Sequence, residues 1–138
     1  PGTIHDSEGM AQLSGQLGYP STKEETHKRV KEIVDQPGNC IFVEVMDGKL
    51  IAWIQGIYSP RVEADGFVEI TGLVVDEAYR GKGIGKKLID EVIEWSAQFG
   101  CKNIRVRTNV IRKETHVFYS KVGFEEVKQQ KIFSKKIN

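Results

Sequence analysis

The chain has 138 residues, of which 39% are hydrophobic, so it is long enough for one buried core and too short for two ordinary domains. We therefore expect one domain over residues 1–138. No apolar run reaches eighteen residues and no charged-then-apolar leader is present. The sequence therefore predicts a cytoplasmic protein that does not use a membrane as partner.

The net charge is only +1, but the charges are unevenly distributed along the chain. Residues 1–79 carry six basic and thirteen acidic side chains, whereas residues 80–113 carry nine basic and three acidic ones. We expect an anion to bind in the second stretch, while the acidic first stretch suits a cationic partner or is a solvated face. Nucleic acid is disfavoured, because the basic residues are local and not interleaved with exposed aromatics.

The two cysteines, Cys40 and Cys101, each start an apolar strand-like run and have no Cys or His nearby at metal-ligand spacing. Buried reduced thiols are the favoured interpretation, with a disulfide or a metal ligand as the alternatives. The sequence therefore predicts no metal site.

Two helices open the chain. Apolar residues at helical spacing predict a short amphipathic helix over residues 8–17. The segment Ser21-Thr22-Lys23-Glu24 has the form of a capping box, which predicts a second helix running to about Asp35. Pro37 and Gly38 end that helix.

Three strands come next in the chain. The runs 40–46 and 49–58 flank Asp47-Gly48, and this pair supplies the positive φ angles that a tight hairpin turn needs. After a polar loop, residues 67–76 are rich in β-branched side chains, which predicts a strand central in the sheet. Glu69 is the charged exception inside that strand.

The second half of the chain alternates between helix and strand. An apolar stripe from Ile84 to Trp95 predicts a helix that ends at Gly100, and residues 102–108 predict a half-exposed strand. A fourth helix is predicted over residues 112–121. The runs 124–127 and 131–137 predict a closing hairpin. The fold class is therefore α/β, an α+β mixed sheet with helices on both faces.

A glycine-rich turn, Arg80-Gly81-Lys82-Gly83-Ile84-Gly85, follows the buried strand and opens the long helix. Backbone N–H groups converge at such a helix start and the helix dipole favours an anion there. A Walker loop is excluded because Lys86 is followed by another lysine, and a dinucleotide fingerprint is excluded by the glycine spacing. A basic tight turn without a ligand remains the alternative.

The remaining pattern, Arg-x-x-Gly-x-Gly after a strand, resembles the pyrophosphate-binding signature of the GNAT superfamily of N-acetyltransferases. A second segment, from Asn109 to Phe124, reads N-V-I-R-K-E-T-H-V-F-Y-S-K-V-G-F and is similar to the family element Asn-x-x-Arg-x-x-Ala-x-x-Phe-Tyr-x-x-x-Gly-Phe. Thr115 departs from the small residue usual there. The resemblance covers the chain from about residue 8 to its end.

The resemblance implies the GNAT fold, with a mixed sheet of about six to seven strands and acetyl-CoA as the acetyl donor. The family's first strand precedes its first helix, but only Thr3-Ile4-His5 is available for it, so that strand would be short or missing. A bare edge there is a place where a second copy would pair into a homodimer. The residues that the resemblance assigns to the cofactor are Leu73, Val74, Val75, Arg80, Gly81, Lys82, Gly83, Ile84, Gly85, Lys86, Asn109 and Phe118.

Two residues take catalytic roles by resemblance. Tyr119 stands where the family commonly has its general acid, and the alternative is a packing aromatic beside Phe118. Glu69 stands where some members carry a general base, and the alternative is a structural ion pair with an arginine of the following strand.

The resemblance implies direct attack of a primary amine on the thioester in a ternary complex. The acidic balance of residues 1–79 suggests a small cationic amine metabolite as acceptor. A protein lysine or N-terminus and a non-catalytic acyl-CoA-binding module remain alternatives.

Overall fold

The computed structural model of the chain describes residues 6–16, 22–106, 113–127 and 131–137. The chain divides into two compact units, residues 1–107 and residues 108–138. The first unit contains three helices and a four-stranded sheet, and the second contains one helix among the described residues.

The first unit begins with helices α1 (Ser7–Gln16) and α2 (Lys23–Val34). A capping box is present at the start of α2, as predicted, but it lies one residue later than the predicted pair. Thr22 Oγ1 accepts a hydrogen bond from the Glu25 N–H at 3.0 Å, and Glu25 Oε1 accepts from the Thr22 N–H at 3.0 Å. Thr22 therefore satisfies the free amide groups at the start of α2 together with Glu25, in place of the predicted Ser21 and Glu24.

Strands β1 (Asn39–Met46) and β2 (Lys49–Ser59) form the predicted hairpin. Its turn residues Asp47 and Gly48 have φ angles of 51° and 76°, as expected for an Asp-Gly turn.

The central strand β3 (Phe67–Val75) pairs antiparallel with β2 and contains a bulge. Gln55 of β2 lies opposite Gly72, whereas the next β2 residue, Gly56, lies opposite Ile70, so Thr71 is an extra residue on β3. A bulge of this kind bends a strand and increases its local twist.

Helix α3 (Ile84–Ser96) connects β3 to strand β4 (Ile104–Val106), which is parallel to β3. A short 3-10 turn follows α3 and ends at Gly100, whose φ of 68° confirms its predicted place at the helix end. The four strands lie in the order β1-β2-β3-β4, with the first three antiparallel.

Helices cover both faces of the sheet, as predicted. On one face Ile41 of β1 packs with Met10 of α1 and Val30 of α2. Glu44 points from the other face of β1 and pairs with Lys87 of α3 at 3.0 Å. Helix α3 approaches the sheet closely at Gly56, where an added Cβ would lie 3.0 Å from a Val92 methyl group. A larger residue at this crossing would therefore require Val92 or Cys40 to shift.

The second unit contains helix α4 (Lys113–Lys121). The predicted closing hairpin is wrong for the described residues, since 124–127 and 131–137 form no strand. Ile132, Phe133 and Ile137 are 78%, 90% and 86% exposed, so these apolar side chains do not pack. The described residues accordingly form four strands, fewer than the six to seven expected. The predicted short first strand at Thr3-Ile4-His5 lies outside the described residues.

Candidate functional site

The glycine turn begins where β3 ends, and a buried aspartate shapes it. Asp76 is 5% exposed, accepts a hydrogen bond from the Ala78 N–H at 2.9 Å and pairs with Lys49 at 3.4 Å. Its carboxylate starts a single 3-10 turn, Glu77–Tyr79, which directs the chain from the sheet toward α3. The turn is thus fixed by a side-chain cap from the strand end.

Gly81 and Gly83 give the turn both its shape and its open surface. Their φ angles are 79° and 80°, in the left-handed region that side-chain-bearing residues avoid. A Cβ added to either would meet no atom of the described residues within 4 Å. Gly83 is the residue before α3 and provides no side-chain cap, so a ligand can approach the first N–H groups of that helix.

The basic side chains around the turn are arranged unequally. Arg80 Nε donates to the Val75 carbonyl at 3.2 Å, so this arginine ties the turn to β3. The ammonium of Lys82 lies 5.5 Å from the ring centre of Tyr79 and is exposed. Lys86 pairs with Asp90 at 3.1 Å, which partly offsets its charge. Ile84 and Gly85 are buried in the first turn of α3.

The C-terminal half of β3 lies next to this turn and is paired on one side. The ladder between β3 and β4 contains three pairs and ends at Ile70 and Val106. Leu73, Val74 and Val75 pair with β2, and no described residue pairs with them on the β4 side. Backbone groups of residues 71–75 on the β4 side therefore face no partner among the described residues, which end at Val106 on that strand.

Glu69 lies on β3 before the bulge, opposite Ile57 of β2 and opposite Arg105 of β4. Its Oε1 is shielded from solvent, and the carboxylate is engaged in an interaction of its own. The ion pairs in the described part of the chain do not include one between Glu69 and Arg105. The Arg105 guanidinium instead lies over the Phe67 ring, 4.1 Å from its centre.

Tyr119 lies in the second unit and packs edge to face against two phenylalanines. Its ring centre is 5.2 Å from that of Phe118 and 5.5 Å from that of Phe124. Tyr119 is 9% exposed, and this burial raises the pKa of its phenol. The phenol therefore keeps its proton over a wider pH range than an exposed tyrosine. Asn109, predicted to contact the cofactor, lies outside the described residues.

Trp53 and Gly72 form a contact that sequence reasoning missed. A Cβ on Gly72 would lie 2.8 Å from two carbons of the Trp53 ring, so the indole lies directly against the bulged part of β3. Trp53 Nε1 is buried and has no hydrogen-bond partner within the described part of the chain. No local sequence pattern identifies the contact of Trp53 with Gly72. Asp76 was also missed as a cap, although Asp before a turn is a usable signal.

The rest of the described surface provides no better site for a phosphate ligand. A shallow cavity of about 310 Å³ runs along the outside of α3 and reaches the glycine turn only at Gly83. It is lined by Gly83, Lys86, Lys87, Asp90, Glu91 and Glu94. Three carboxylates make it a poor phosphate site. Among the described residues, no three His, Cys, Asp or Glu side chains come together to hold a metal ion. None of the described helices is both long and apolar enough to cross a membrane.

Comparison with known proteins gives a consistent result. The sequence model of the Acetyltransferase (GNAT) family matches residues 10–124. The N-acetylaspartate synthetase of Xenopus tropicalis is 37% identical over 93 residues, which cover 67% of this chain and 33% of the synthetase. The glucosamine 6-phosphate N-acetyltransferase of Arabidopsis thaliana is 31% identical over 124 residues, which cover 83% of this chain and 80% of that enzyme. The chain thus spans about a third of the synthetases it matches.

Solved structures share the fold. The aminoglycoside N-acetyltransferase AAC(6')-Iy in complex with CoA aligns with a TM-score of 0.86 at 21% identity, covering 99% of this chain and 92% of that one. At this identity the likeness extends to the fold alone.

Proposed function

Since the chain belongs to the GNAT family of acetyltransferases, we propose that it transfers the acetyl group of acetyl-CoA to a primary amine of a small molecule. The observation that carries this proposal is the open turn at Gly81 and Gly83, which joins the end of β3 to the N-terminus of α3. These elements lie in the first unit and adjoin one another along the chain.

The residues present fit acetyl-CoA as the donor. The turn offers backbone N–H groups, space above two glycines and the exposed charges of Arg80 and Lys82 for a pyrophosphate. Leu73, Val74 and Val75 have backbone groups with no partner on the β4 side among the described residues, and an extended arm would pair along them as an added strand. When bound there, acetyl-CoA would supply an activated thioester. Gly83, Ile84, Gly85 and Lys86 would complete the phosphate site, with Asn109 and Phe118 as further contacts by family resemblance.

We assign the proton transfers to Glu69 and Tyr119. The amine must lose a proton to become a nucleophile, and Glu69 is the carboxylate on β3 that would accept it, directly or through water. Tyr119 would donate a proton to the departing thiolate, and its raised pKa keeps the phenol in the protonated form that this role requires. No covalent enzyme intermediate is needed for direct attack in a ternary complex.

We propose a small, protonated amine as the acceptor. The names of the relatives point to small amines, namely aspartate, glucosamine 6-phosphate and aminoglycosides. The ammonium form of such a substrate suits the acidic balance of residues 1–79. We further propose that both compact units belong to one catalytic domain, because the family match at residues 10–124 crosses the boundary between them.

An acceptor screen that reports free CoA tests the proposal. The purified chain, acetyl-CoA and a panel of amines should give CoA release that requires both the chain and one class of amine. Acetyl-CoA should also raise the melting temperature, whereas ATP should not. Stabilisation by ATP alone would exclude the acetyltransferase assignment, and stabilisation by acetyl-CoA without CoA release from any amine would favour a binding module.

The base role of Glu69 has its own test. The Glu69→Gln variant should lose the acidic limb of the pH–rate profile, because no carboxylate remains to be titrated in that limb. A profile that keeps the limb would assign Glu69 to structure.

A further inference from the structure

Two arginines from separate segments converge on one aromatic ring near Glu69. Arg61 belongs to the loop between β2 and β3, and Arg105 belongs to β4. Their guanidinium carbons lie 5.0 Å and 4.1 Å from the centre of the Phe67 ring. Phe67 itself is buried, with 5% exposure, so the ring is a fixed support for both side chains. The chain therefore concentrates two positive charges at one place.

Within the described ranges, no carboxylate forms an ion pair with either guanidinium. The ion pairs of the described residues involve neither Arg61 nor Arg105, although Glu63 and Asp65 share the loop with Arg61. Both arginines are exposed. Stacking on an aromatic ring orients a guanidinium and leaves its N–H donors available. Two positive charges beside the same ring repel each other, and a bound anion would offset that repulsion.

The position of the arginine pair relates it to the proposed chemistry. Phe67 and Glu69 are two residues apart on β3, before the Thr71 bulge, so their side chains leave the same face of the sheet about 7 Å apart. Arg105 is the register partner of Glu69 on the neighbouring strand. An acceptor whose amine is near Glu69 would therefore have the two guanidinium groups within the length of a small metabolite.

We propose that Arg61 and Arg105 bind a carboxylate or phosphate group of the acceptor, so the substrate is an amine that also carries an anion. The proposal rests on the proposed acetyltransferase function and specifies its acceptor. Planar guanidinium groups bind both carboxylates and phosphates through paired hydrogen bonds. A zwitterionic amine differs from the polyamines and aminoglycosides that the acidic first half of the sequence also suggests.

Matched acceptor pairs test the anionic group directly. Glucosamine 6-phosphate and glucosamine differ by the phosphate, and aspartate and its diamide differ by the carboxylates. In the CoA-release assay, the kcat/KM of at least one of the two anionic amines should exceed that of its counterpart without the anionic group by tenfold or more. A preference confined to the sugar pair identifies phosphate as the group, and one confined to the aspartate pair identifies carboxylate.

Arginine variants then locate the site. Arg61→Gln and Arg105→Gln should each raise the KM of the preferred anionic amine by about tenfold, with little change in kcat or in the KM of acetyl-CoA. The KM of the Arg105→Lys variant should lie between those of the wild type and Arg105→Gln, because lysine keeps the charge and loses the planar guanidinium group. Arg29→Gln is the matched control, since it removes an exposed arginine of α2 and should change none of these constants.

Three results would overturn the inference. Equal kcat/KM values within both acceptor pairs would show that the anion is not recognised. If the Arg61 and Arg105 variants lose kcat/KM equally for amines with and without the anionic group, the arginines do not bind that group. If acetyl-CoA binds and aspartate and glucosamine 6-phosphate neither react nor give saturable ligand-observed NMR signals, the arginine site is refuted, while CoA release from another amine would keep the proposed function.

Discussion

Replacing Gly83 by alanine separates the structural role of the glycine turn from its role in binding acetyl-CoA. Gly83 has a φ of 80° and nothing within 4 Å of the position of a Cβ, so an alanine meets a backbone cost and no steric clash. A left-handed φ costs a side-chain-bearing residue roughly 1–2 kcal/mol, and the stiffer unfolded chain returns about 0.4–1 kcal/mol. The free energy of unfolding should therefore fall by about 1 kcal/mol, a shift in melting temperature of roughly 4 °C.

Gly48 provides a matched control in the β1–β2 turn. Its φ is 76°, it too has no atom within 4 Å, and its turn lies outside the proposed cofactor site. Gly48→Ala should cost the same stability and leave the acetyl-CoA dissociation constant unchanged. Gly83→Ala should raise that constant roughly tenfold or more, because the new methyl group separates the phosphate from backbone N–H donors. Calorimetric titration of both variants measures this, and equal dissociation constants would refute a phosphate site at Gly83.

Three further predictions follow from the described contacts. Tyr119→Phe should lower kcat by about a hundredfold or more at unchanged acetyl-CoA affinity. Because burial raises the phenol pKa, wild-type activity should not decline on the alkaline side within the range where an exposed tyrosine titrates. Burial raises the pKa of Cys40 to about 11, so its alkylation at pH 8 should be roughly a hundredfold slower in the folded than in the urea-unfolded chain, measured by mass spectrometry. Asp76→Ala should lower the free energy of unfolding by about 1–2 kcal/mol, and Lys49→Ala by less than about 1 kcal/mol, in urea titrations, because the cap is buried and the lysine exposed.

Each of these has a contrary outcome. Unchanged turnover by Tyr119→Phe would remove the phenol from the chemistry. Equal alkylation rates in the folded and unfolded states would mean that solvent reaches the Cys40 thiol freely. Similar losses for Asp76→Ala and Lys49→Ala would assign the stabilisation to the ion pair and not to the cap.

Features that depend on one residue's backbone freedom were predictable from sequence. Asp47-Gly48 and the glycines at 81, 83 and 100 all have positive φ angles, and each marks the turn or helix end that the sequence indicated. These requirements are local, so the residue type is sufficient evidence. The capping box shows the limit of local evidence. Adjacent hydroxyl residues each had an acidic residue three positions later, and the pattern could not choose between them.

Features that depend on distant partners were not predictable. The apolar residues Ile132, Phe133 and Ile137 led to the prediction of a strand over 131–137, but they do not provide the partner that a strand needs, and the described segment is unpaired and exposed. The Thr71 bulge appears only when β2 and β3 are placed in register. Arg61 and Arg105 contact the same Phe67 ring although 43 residues separate them in the sequence, so their cluster is visible only in three dimensions.

Binding of acetyl-CoA beside residues 71–75 of β3 would protect backbone amides of that strand from hydrogen exchange. About half of the amide hydrogens in an extended strand point to each side, and those of residues 71–75 on the β4 side face no strand among the described residues. If pantetheine, the extended arm of acetyl-CoA, pairs there, it would act as an added strand for as long as acetyl-CoA is bound. Deuterium uptake in this short segment should therefore slow as acetyl-CoA is added, by a factor that grows as one plus the ratio of free ligand to its dissociation constant. Deuterium uptake by this strand would therefore report the fraction of the protein that has acetyl-CoA bound.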